Sequence, residues 1–309
     1  MAAALGLVGA LHRRALQRPA RPALPGRSEH FPCKEEVADY LQAYAEYFEL
    51  PVCLNDPATS LERVDGRYRV QTPSQTYEAE HVVVSTGAYQ RPHVPSIAER
   101  LDDEVLQLHS ADYRNAAQLA DGEVLVVGSA NSGAQIAQDL GDTHRVHLAR
   151  GRRLPRLPRR ILGQSLHWWG ERVGLIQAPL DSWRGRTQRG DLLVGTSLRQ
   201  LARRHGVELL PRAVSAGGRT VAFADGRSLD VQTIVWATGF RPDYSWIEVP
   251  VFDERGAPRH RRGVSNSPGL YFLGMHLQYS RGSSLIGWVR HDAEFIVDAV
   301  ARAAARSRR

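Results

Sequence analysis

The stretch Glu123–Arg150, EVLVVGSANSGAQIAQDLGDTHRVHLAR, constrains the fold more than any other part of the chain. Val124 to Val127 is a continuous apolar run, the pattern of a strand buried on both faces of a parallel sheet. A turn bounded by glycines follows, Gly128-Ser129-Ala130-Asn131-Ser132-Gly133. From Ser132 to Leu140 the spacing predicts a helix with Ile136 and Leu140 on one face. Arg145 to Ala149 reads as the next strand. Strand, tight turn, helix and strand together form a unit that binds a dinucleotide pyrophosphate. The first N–H groups of the helix lack an intrahelical partner, and the helix dipole favours an anion. Gly128, Ser129, Ala130, Asn131, Ser132 and Gly133 are therefore candidate cofactor contacts. The alternative is a tight strand-to-helix turn that binds nothing.

Ala130 stands where the usual pattern has its second glycine, the residue that lets the backbone approach the pyrophosphate. If the backbone there must be left-handed, the methyl group costs roughly 1–2 kcal/mol, or about tenfold in affinity. Ala130→Gly is then expected to tighten nucleotide binding. Arg150 follows Gly128 by 150 − 128 = 22 positions, where the second strand ends and the adenine ribose is met. A carboxylate there would accept from the ribose 2′-hydroxyl, whereas an arginine grips a 2′-phosphate. The expected cofactor is NADP rather than NAD. The competing reading is that Arg150 is surface charge in an arginine-rich chain.

That richness also bears on partners. The 309 residues carry a formal net charge of +7, and only one of the basic residues is a lysine, Lys34. The arginines are spread along the chain, which argues against a nucleic-acid face; the densest run, Arg150 to Arg160, suits a phosphate ligand and an interdomain loop. No apolar run reaches the roughly 18 residues needed to cross a bilayer, and the start of the chain lacks the charged region that precedes a signal sequence. The two cysteines, Cys33 and Cys53, have no metal or redox spacing and fit reduced thiols in a cytoplasmic protein. The 12 histidines form no ligand pattern, so no metal is expected.

The remaining elements read as follows. Residues 1–30 form an irregular arm. Glu35 to Phe48 is an amphipathic helix whose stripe, Val37, Leu41, Tyr44 and Phe48, suits a core. Pro51 to Leu54 is a short strand, and Ser60 to Ala79 a β-meander turning at Asp65-Gly66. His81 to Ser85 is a buried strand ending in Thr86-Gly87, and residues 97–121 are a linker. A basic insertion follows Arg150, with Trp168 and Trp169 suited either to capping an apolar ligand or to ordinary packing. Helix (Ser197 to His205), strand, meander (Ala213 to Leu229) and buried strand (Thr233 to Ala237) then recur, ending in Thr238-Gly239. This is an internal repeat. Gly269 to Gly274 is a last buried strand, and Trp288 to Ala305 a closing helix with Val289, Phe295, Ile296 and Val300 inward. The small ends of the buried strands suit close approach of a ligand at the carboxyl edge of a sheet. Thr86, Gly87, Thr238, Gly239 and Gly274 join the candidate cofactor contacts.

These residues carry a resemblance. Phe31-Pro32 with KEEVADYL, Thr86-Gly87 ahead of Arg91-Pro92, and His109-Ser110 with Asp112-Tyr113-Arg114 are three of its motifs. The GSANSG turn, Leu157-Pro158-Arg159-Arg160, Ala237-Thr238-Gly239-Phe240-Arg241-Pro242, and GLYFLG with its SRGSS loop are the others. Together, over roughly Leu24 to Ala299, the chain resembles the FAD- and NADP-dependent flavin-containing monooxygenases and their bacterial and plant relatives. The resemblance implies an α/β fold of two three-layer Rossmann-like dinucleotide-binding domains. A FAD-type domain (31–118 and 239–309) would be split by an inserted NADP-binding domain (119–238). It implies FAD reduced by NADPH, then oxygenation of a small-molecule substrate. The family's first glycine-rich turn, for the FAD pyrophosphate, has no counterpart ahead of Phe31, so the FAD domain reads as incomplete. Asp103 and Val105 occupy the places of an F-x-G that often precedes the histidine. The alternatives are a truncated, non-catalytic homologue that binds NADP or nothing, and a reductase using loosely bound flavin. No acid–base pair stands out, and His109 reads more readily as a structural hydrogen-bonder than as a general acid, so no catalytic residue is named.

The assignment of Arg150 yields a test. Arg150→Asp is expected to weaken NADPH relative to NADH by roughly tenfold or more, since a charge-assisted hydrogen bond contributes about 1.5–3 kcal/mol. Comparative nucleotide titration reads this, and an unchanged ratio would rule the assignment out.

Overall fold

The structure is a computed structural model that describes residues 31–120, 122–187 and 190–307. The arm expected over residues 1–30 lies outside the described residues. The fold is α/β, and the chain divides into two compact units. One comprises residues 91–173 and 187–241; the other comprises 31–90, 174–186 and 242–307.

The first unit is built on a parallel sheet. Among the described residues its order is Glu208–Leu210, Arg145–Ala149, Glu123–Val127, Thr233–Trp236 and Leu106–His109. Alternation along each strand sends successive side chains to opposite faces. Val124, Val126, Val146, Leu148 and Val235 pack on one face against Ala134, Ala137 and Leu140 of the helix Asn131–Leu140 and against Leu201 of the helix Leu198–Arg204. Leu125, Val127, Ile234 and Trp236 pack on the other, against Val221 and Phe223 of the antiparallel sheet Ala213–Gly217, Thr220–Phe223 and Ser228–Asp230. The result is three layers: helices, parallel sheet, antiparallel sheet. The segment expected to be a linker supplies an edge strand. Leu106–His109 pairs in parallel with Thr233–Trp236, and the indole Nε1 of Trp236 donates to Gln107 Oε1 across it at 3.0 Å. This pairing places Leu106–His109 in the compact unit that begins at Arg91.

In the second unit the meander forms as expected, Ser60–Val64, Arg67–Gln71 and Thr76–Ala79, with its first turn at Asp65-Gly66. Leu61, Tyr68 and Val70 bury their side chains with Val84, Leu270 and Phe272. The Tyr68 hydroxyl lies 2.6 Å from Ser267 Oγ and donates to the Pro268 carbonyl at 2.9 Å. Leu270–Phe272 runs parallel to Val82–Val84, and His260–Arg261 and Val264–Ser265 complete that sheet among the described residues. The strand at 82–84 is only partly covered, with Val84 its one buried residue.

Two expectations fail here, and a third is met in part. Pro51 to Leu54 forms no strand: Pro51 has no N–H to donate, Val52 N–H bends back to the Leu50 carbonyl at 2.8 Å, and Leu54 is 74% exposed. The helix Lys34–Tyr47 forms, yet none of its described residues is buried, so its apolar stripe faces no core there. In the closing helix Arg290–Ser307 Ile296 is buried as expected and Phe295 and Val300 are half-buried, while Asp292 is buried unexpectedly. Asp292 accepts from Arg262 Nε at 2.9 Å, and that guanidinium sits 4.0 Å from the Tyr279 ring centroid and 4.7 Å from that of Phe295. A buried carboxylate persists when paired in this way.

Candidate functional site

The glycine-bounded turn lies at the carboxyl edge of the parallel sheet, between the central strand Glu123–Val127 and the helix Asn131–Leu140. Gly128 has φ +111°, and a Cβ there would stand 2.3 Å from the Ala237 carbonyl oxygen. A Cβ on Gly133 would stand 1.8 Å from the Gly128 carbonyl oxygen. Only glycine at both places lets the chain turn this sharply and brings the helix down onto the sheet. The first helical bond runs from Ala134 N–H to the Ala130 carbonyl at 2.9 Å. The preceding N–H groups, of Asn131, Ser132 and Gly133, are the ones that a helix start leaves without an intrahelical acceptor.

Ala130 corrects an expectation. It is the N-cap, with φ −76° and ψ −170°, an extended conformation open to any L-residue. The left-handed strain that would have made glycine preferable is absent, and the methyl group is exposed.

Arg150 follows the neighbouring strand directly. Gly128 N–H donates to the Ala149 carbonyl at 2.9 Å, and Arg150 N–H to the Leu210 carbonyl at 2.9 Å. Arg150 therefore stands at the sheet edge beside the turn, its side chain exposed and its Nε 3.4 Å from the Leu210 carbonyl. The side-chain amide of Asn131 is engaged by backbone, so that any contact Asn131 makes with a cofactor is through its main chain. Its Nδ2 donates to the Leu192 carbonyl at 2.9 Å, and its Oδ1 accepts from Val194 N–H at 2.8 Å.

Thr238 and Gly239 leave the strand Thr233–Trp236 on the same edge. The Thr238 hydroxyl donates to the His93 carbonyl, and the Gly239 carbonyl accepts from His93 N–H at 2.9 Å. Beneath them lies His109, 5% exposed. Ala111 N–H donates to its Nδ1 at 3.1 Å, which leaves Nε2 to carry the proton and donate to the Gly239 carbonyl at 3.0 Å. Phe240 meets the imidazole edge-on, with centroids 5.0 Å apart. Both ring nitrogens are engaged in holding the Thr238-Gly239 exit, the structural role expected of this histidine. Burial holds its pKa below the ordinary imidazole value of 6.5, against the opposing pull of the Gly239 carbonyl.

Thr86, Gly87 and Gly274 belong to the other unit, at the carboxyl ends of its parallel pair. Gln90, which no motif flagged, organises the first two: its Nε2 donates to Thr86 Oγ1 at 2.9 Å and to the Gly87 carbonyl at 2.8 Å. Its Oε1 accepts from Asp243 N–H at 2.8 Å. A Cβ on Gly87, Gly239 or Gly274 would meet nothing within 4 Å, so each of these backbone stretches is open to close approach. Both edges thus fit a dinucleotide: unpaired N–H groups at a helix start in one unit, and bare strand ends in both. Among the described residues no cluster of three or more His, Cys, Asp or Glu could hold a metal, and no helix is long and apolar enough to cross a membrane.

Residues 10–155 match the family model described as pyridine nucleotide-disulphide oxidoreductase. An uncharacterized CzcO-like oxidoreductase of Geobacillus kaustophilus is 44% identical over 279 residues, spanning 89% of this chain and 80% of the relative. The chain belongs to the CzcO-like oxidoreductases. The match to the pyridine nucleotide-disulphide oxidoreductase family implies FAD and NADP(H) as cofactors. The probable indole-3-pyruvate monooxygenase YUCCA9 of Arabidopsis thaliana is 26% identical over 89% of this chain and 75% of its own. A flavin-containing monooxygenase of Stenotrophomonas maltophilia shares the fold, with a TM-score of 0.70 at 23% identity over 90% of this chain and 80% of its own. So does the bacillithiol disulfide reductase Bdr of Bacillus cereus, at 0.62 and 17% over 99% and 86%.

Two tests follow. With Ala130 unstrained, Ala130→Gly is expected to leave nucleotide affinity within about twofold; a tenfold gain would show that the methyl group itself obstructs the ligand. His109 is neutral in the folded chain and more readily protonated when unfolded. Its contribution to stability is therefore full above pH 6.5 and lost as the pH falls from there through its lowered folded value. Denaturant unfolding of His109→Gln is expected to show a shallower decline in stability on the acid side than the wild type, and an identical decline would place the acid sensitivity elsewhere.

Proposed function

We propose that this oxidoreductase is an NADPH-dependent, monooxygenase-like flavoprotein acting on a small molecule. The observation that carries the reading is the junction of the Gly128–Gly133 turn, the start of the Asn131–Leu140 helix and Arg150 on one sheet edge. The N–H groups of Asn131, Ser132 and Gly133 would receive the pyrophosphate, and Arg150 the adenosine 2′-phosphate. This unit would be the NADP domain. The other unit would hold FAD, with Thr86, Gly87 and Gly274 giving the backbone access that its strand ends leave open. The bound flavin, with NADPH as its reductant, supplies the redox chemistry. The balance is NADPH, a proton, dioxygen and substrate on one side, and NADP⁺, water and the oxygenated substrate on the other.

The chain's own residues bind and orient. Thr238 and Gly239 are pinned by His93 and His109, so this edge is rigid before the nucleotide arrives. Gln90 does the same for Thr86 and Gly87. Such preorganisation lets binding energy serve alignment instead of ordering of loops.

The decisive experiment is visible absorption of the purified full chain, desalted after incubation with FAD, followed by anaerobic NADPH and NADH. Retained flavin bands that NADPH bleaches faster than NADH are the expected result. Nucleotide binding without flavin retention would instead favour a non-catalytic nucleotide-binding homologue, and absence of both would overturn the reading.

A further inference from the structure

Asn131 was expected to touch the cofactor, but both ends of its side-chain amide are occupied by the main chain of a segment about 60 residues away. Nδ2 donates to the Leu192 carbonyl, and Oδ1 accepts from Val194 N–H. An amide that satisfies one carbonyl and one N–H of the same short stretch fixes that stretch in register, as a neighbouring strand would. Leu193, between the two contacts, is 4% exposed and lies in the core cluster that includes Val126 and Ala134. The segment therefore has a side-chain anchor below and an amide clip beside it, at the first residue of the phosphate-facing helix.

The same segment holds the arginine-rich stretch. Leu193–Val194 pairs in parallel with Arg156–Leu157. Leu193 N–H donates to the Pro155 carbonyl and Gly195 N–H to the Leu157 carbonyl, both at 2.9 Å. The Arg156 guanidinium donates to the Gly195 carbonyl at 3.2 Å. Arg152 pairs with Asp191 at 3.5 Å, both side chains being largely exposed. Continuous contact thus runs from Asn131 through Leu192–Val194 to residues 152–157. The opposite end of that stretch is Arg150, fixed to the sheet by its N–H on the Leu210 carbonyl. Arg150 to Leu157 is a loop tied at both ends, and Asn131 supplies one tie.

We infer that Asn131 is a positioning residue for nucleotide selectivity: acting through the strand Leu193–Val194, it holds the basic loop 150–157 beside the pyrophosphate turn. This rests on the NADPH reading of Arg150. The glycines and helix N–H groups meet the pyrophosphate common to NADPH and NADH, whereas the basic loop meets only the 2′-phosphate. Releasing the loop should therefore weaken NADPH and spare NADH, an asymmetry that a loss of fold would not produce.

The experiment titrates NADPH and NADH separately into full-length wild type, Asn131→Ala, Asn131→Asp, Arg150→Asp and the Asn131→Ala/Arg150→Asp double variant, with a thermal melt of each. Asn131→Ala keeps the backbone N–H that would meet the pyrophosphate and removes only the side-chain amide; it is expected to lose about tenfold in NADPH affinity and less than about twofold in NADH affinity, as the removal of two hydrogen bonds that order a charged loop. Asn131→Asp keeps the acceptor for Val194 N–H and loses the donor to the Leu192 carbonyl, so it should fall between. If Asn131 works through the basic loop, the double variant should lose less than the product of the two single losses. Equal weakening of both nucleotides, or strictly multiplicative losses, would overturn the inference. If Asn131→Ala is poorly folded by its melt, Asn131→Asp carries the same comparison. A wild type without preference for NADPH would overturn the Arg150 reading and this inference with it. Preference kept in Asn131→Ala and Asn131→Asp but lost in Arg150→Asp would overturn this inference alone.

Discussion

The close approach of three backbone segments at Gly128, Gly133 and Ala237 underlies the rest of the unit built on the parallel sheet. A Cβ on Gly128 would stand 2.3 Å from the Ala237 carbonyl oxygen, and one on Gly133 would stand 1.8 Å from the Gly128 carbonyl oxygen and 3.1 Å from the Ala237 side chain. Because neither is present, the Asn131–Leu140 helix sits low on the sheet, with Ala134, Ala137 and Leu140 in the core and its N-terminus at the carboxyl edge. The same contact fixes how the Thr233–Trp236 strand exits, and therefore where Thr238 and Gly239 stand. Packing and ligand geometry come from one steric constraint.

Around it the unit is organised by polar clips between segments distant in sequence. His109 holds Gly239, Thr238 holds His93, Asn131 holds residues 192 and 194, and Arg150 is fixed to Leu210. Each satisfies backbone groups at strand exits, where the ladder no longer does so and burial would otherwise penalise them. In the other unit Gln90 plays the corresponding part for Thr86 and Gly87. Strand ends whose outer side is open are thus held by side chains.

Much of the architecture was legible because it rests on local pattern. The apolar run at 124–127, the helix period at 132–140, the turn at Asp65-Gly66 and the repeated meander all reflect short-range rules of periodicity and turn chemistry. The failures have a common cause. Leu106–His109 looked like linker because a four-residue strand shows little period of its own; it is a strand because Thr233–Trp236 pairs with it. Pro51 to Leu54 had strand-like residues but gains no partner among the described residues. The helix Lys34–Tyr47 has an apolar stripe without a buried residue, since amphipathicity records what a face can pack against and not whether it does so.

By itself, then, the sequence determined the α/β class, the tight strand-to-helix turn with its two indispensable glycines, and the arginine that ends the second strand. All three are set within a span of 28 residues, from Glu123 to Arg150, by sterics and periodicity that need no distant partner. Only the tertiary structure decided that Ala130 is unstrained, that Asn131 faces the 192–194 backbone, that His109 is a pinned donor, and that Leu106–His109 joins the sheet. Those outcomes depend on contacts between residues about 60 to 130 positions apart, and on a backbone conformation imposed where the helix meets the sheet. Such contacts are favourable only once the chain has folded, so the residue types carry no local mark of them.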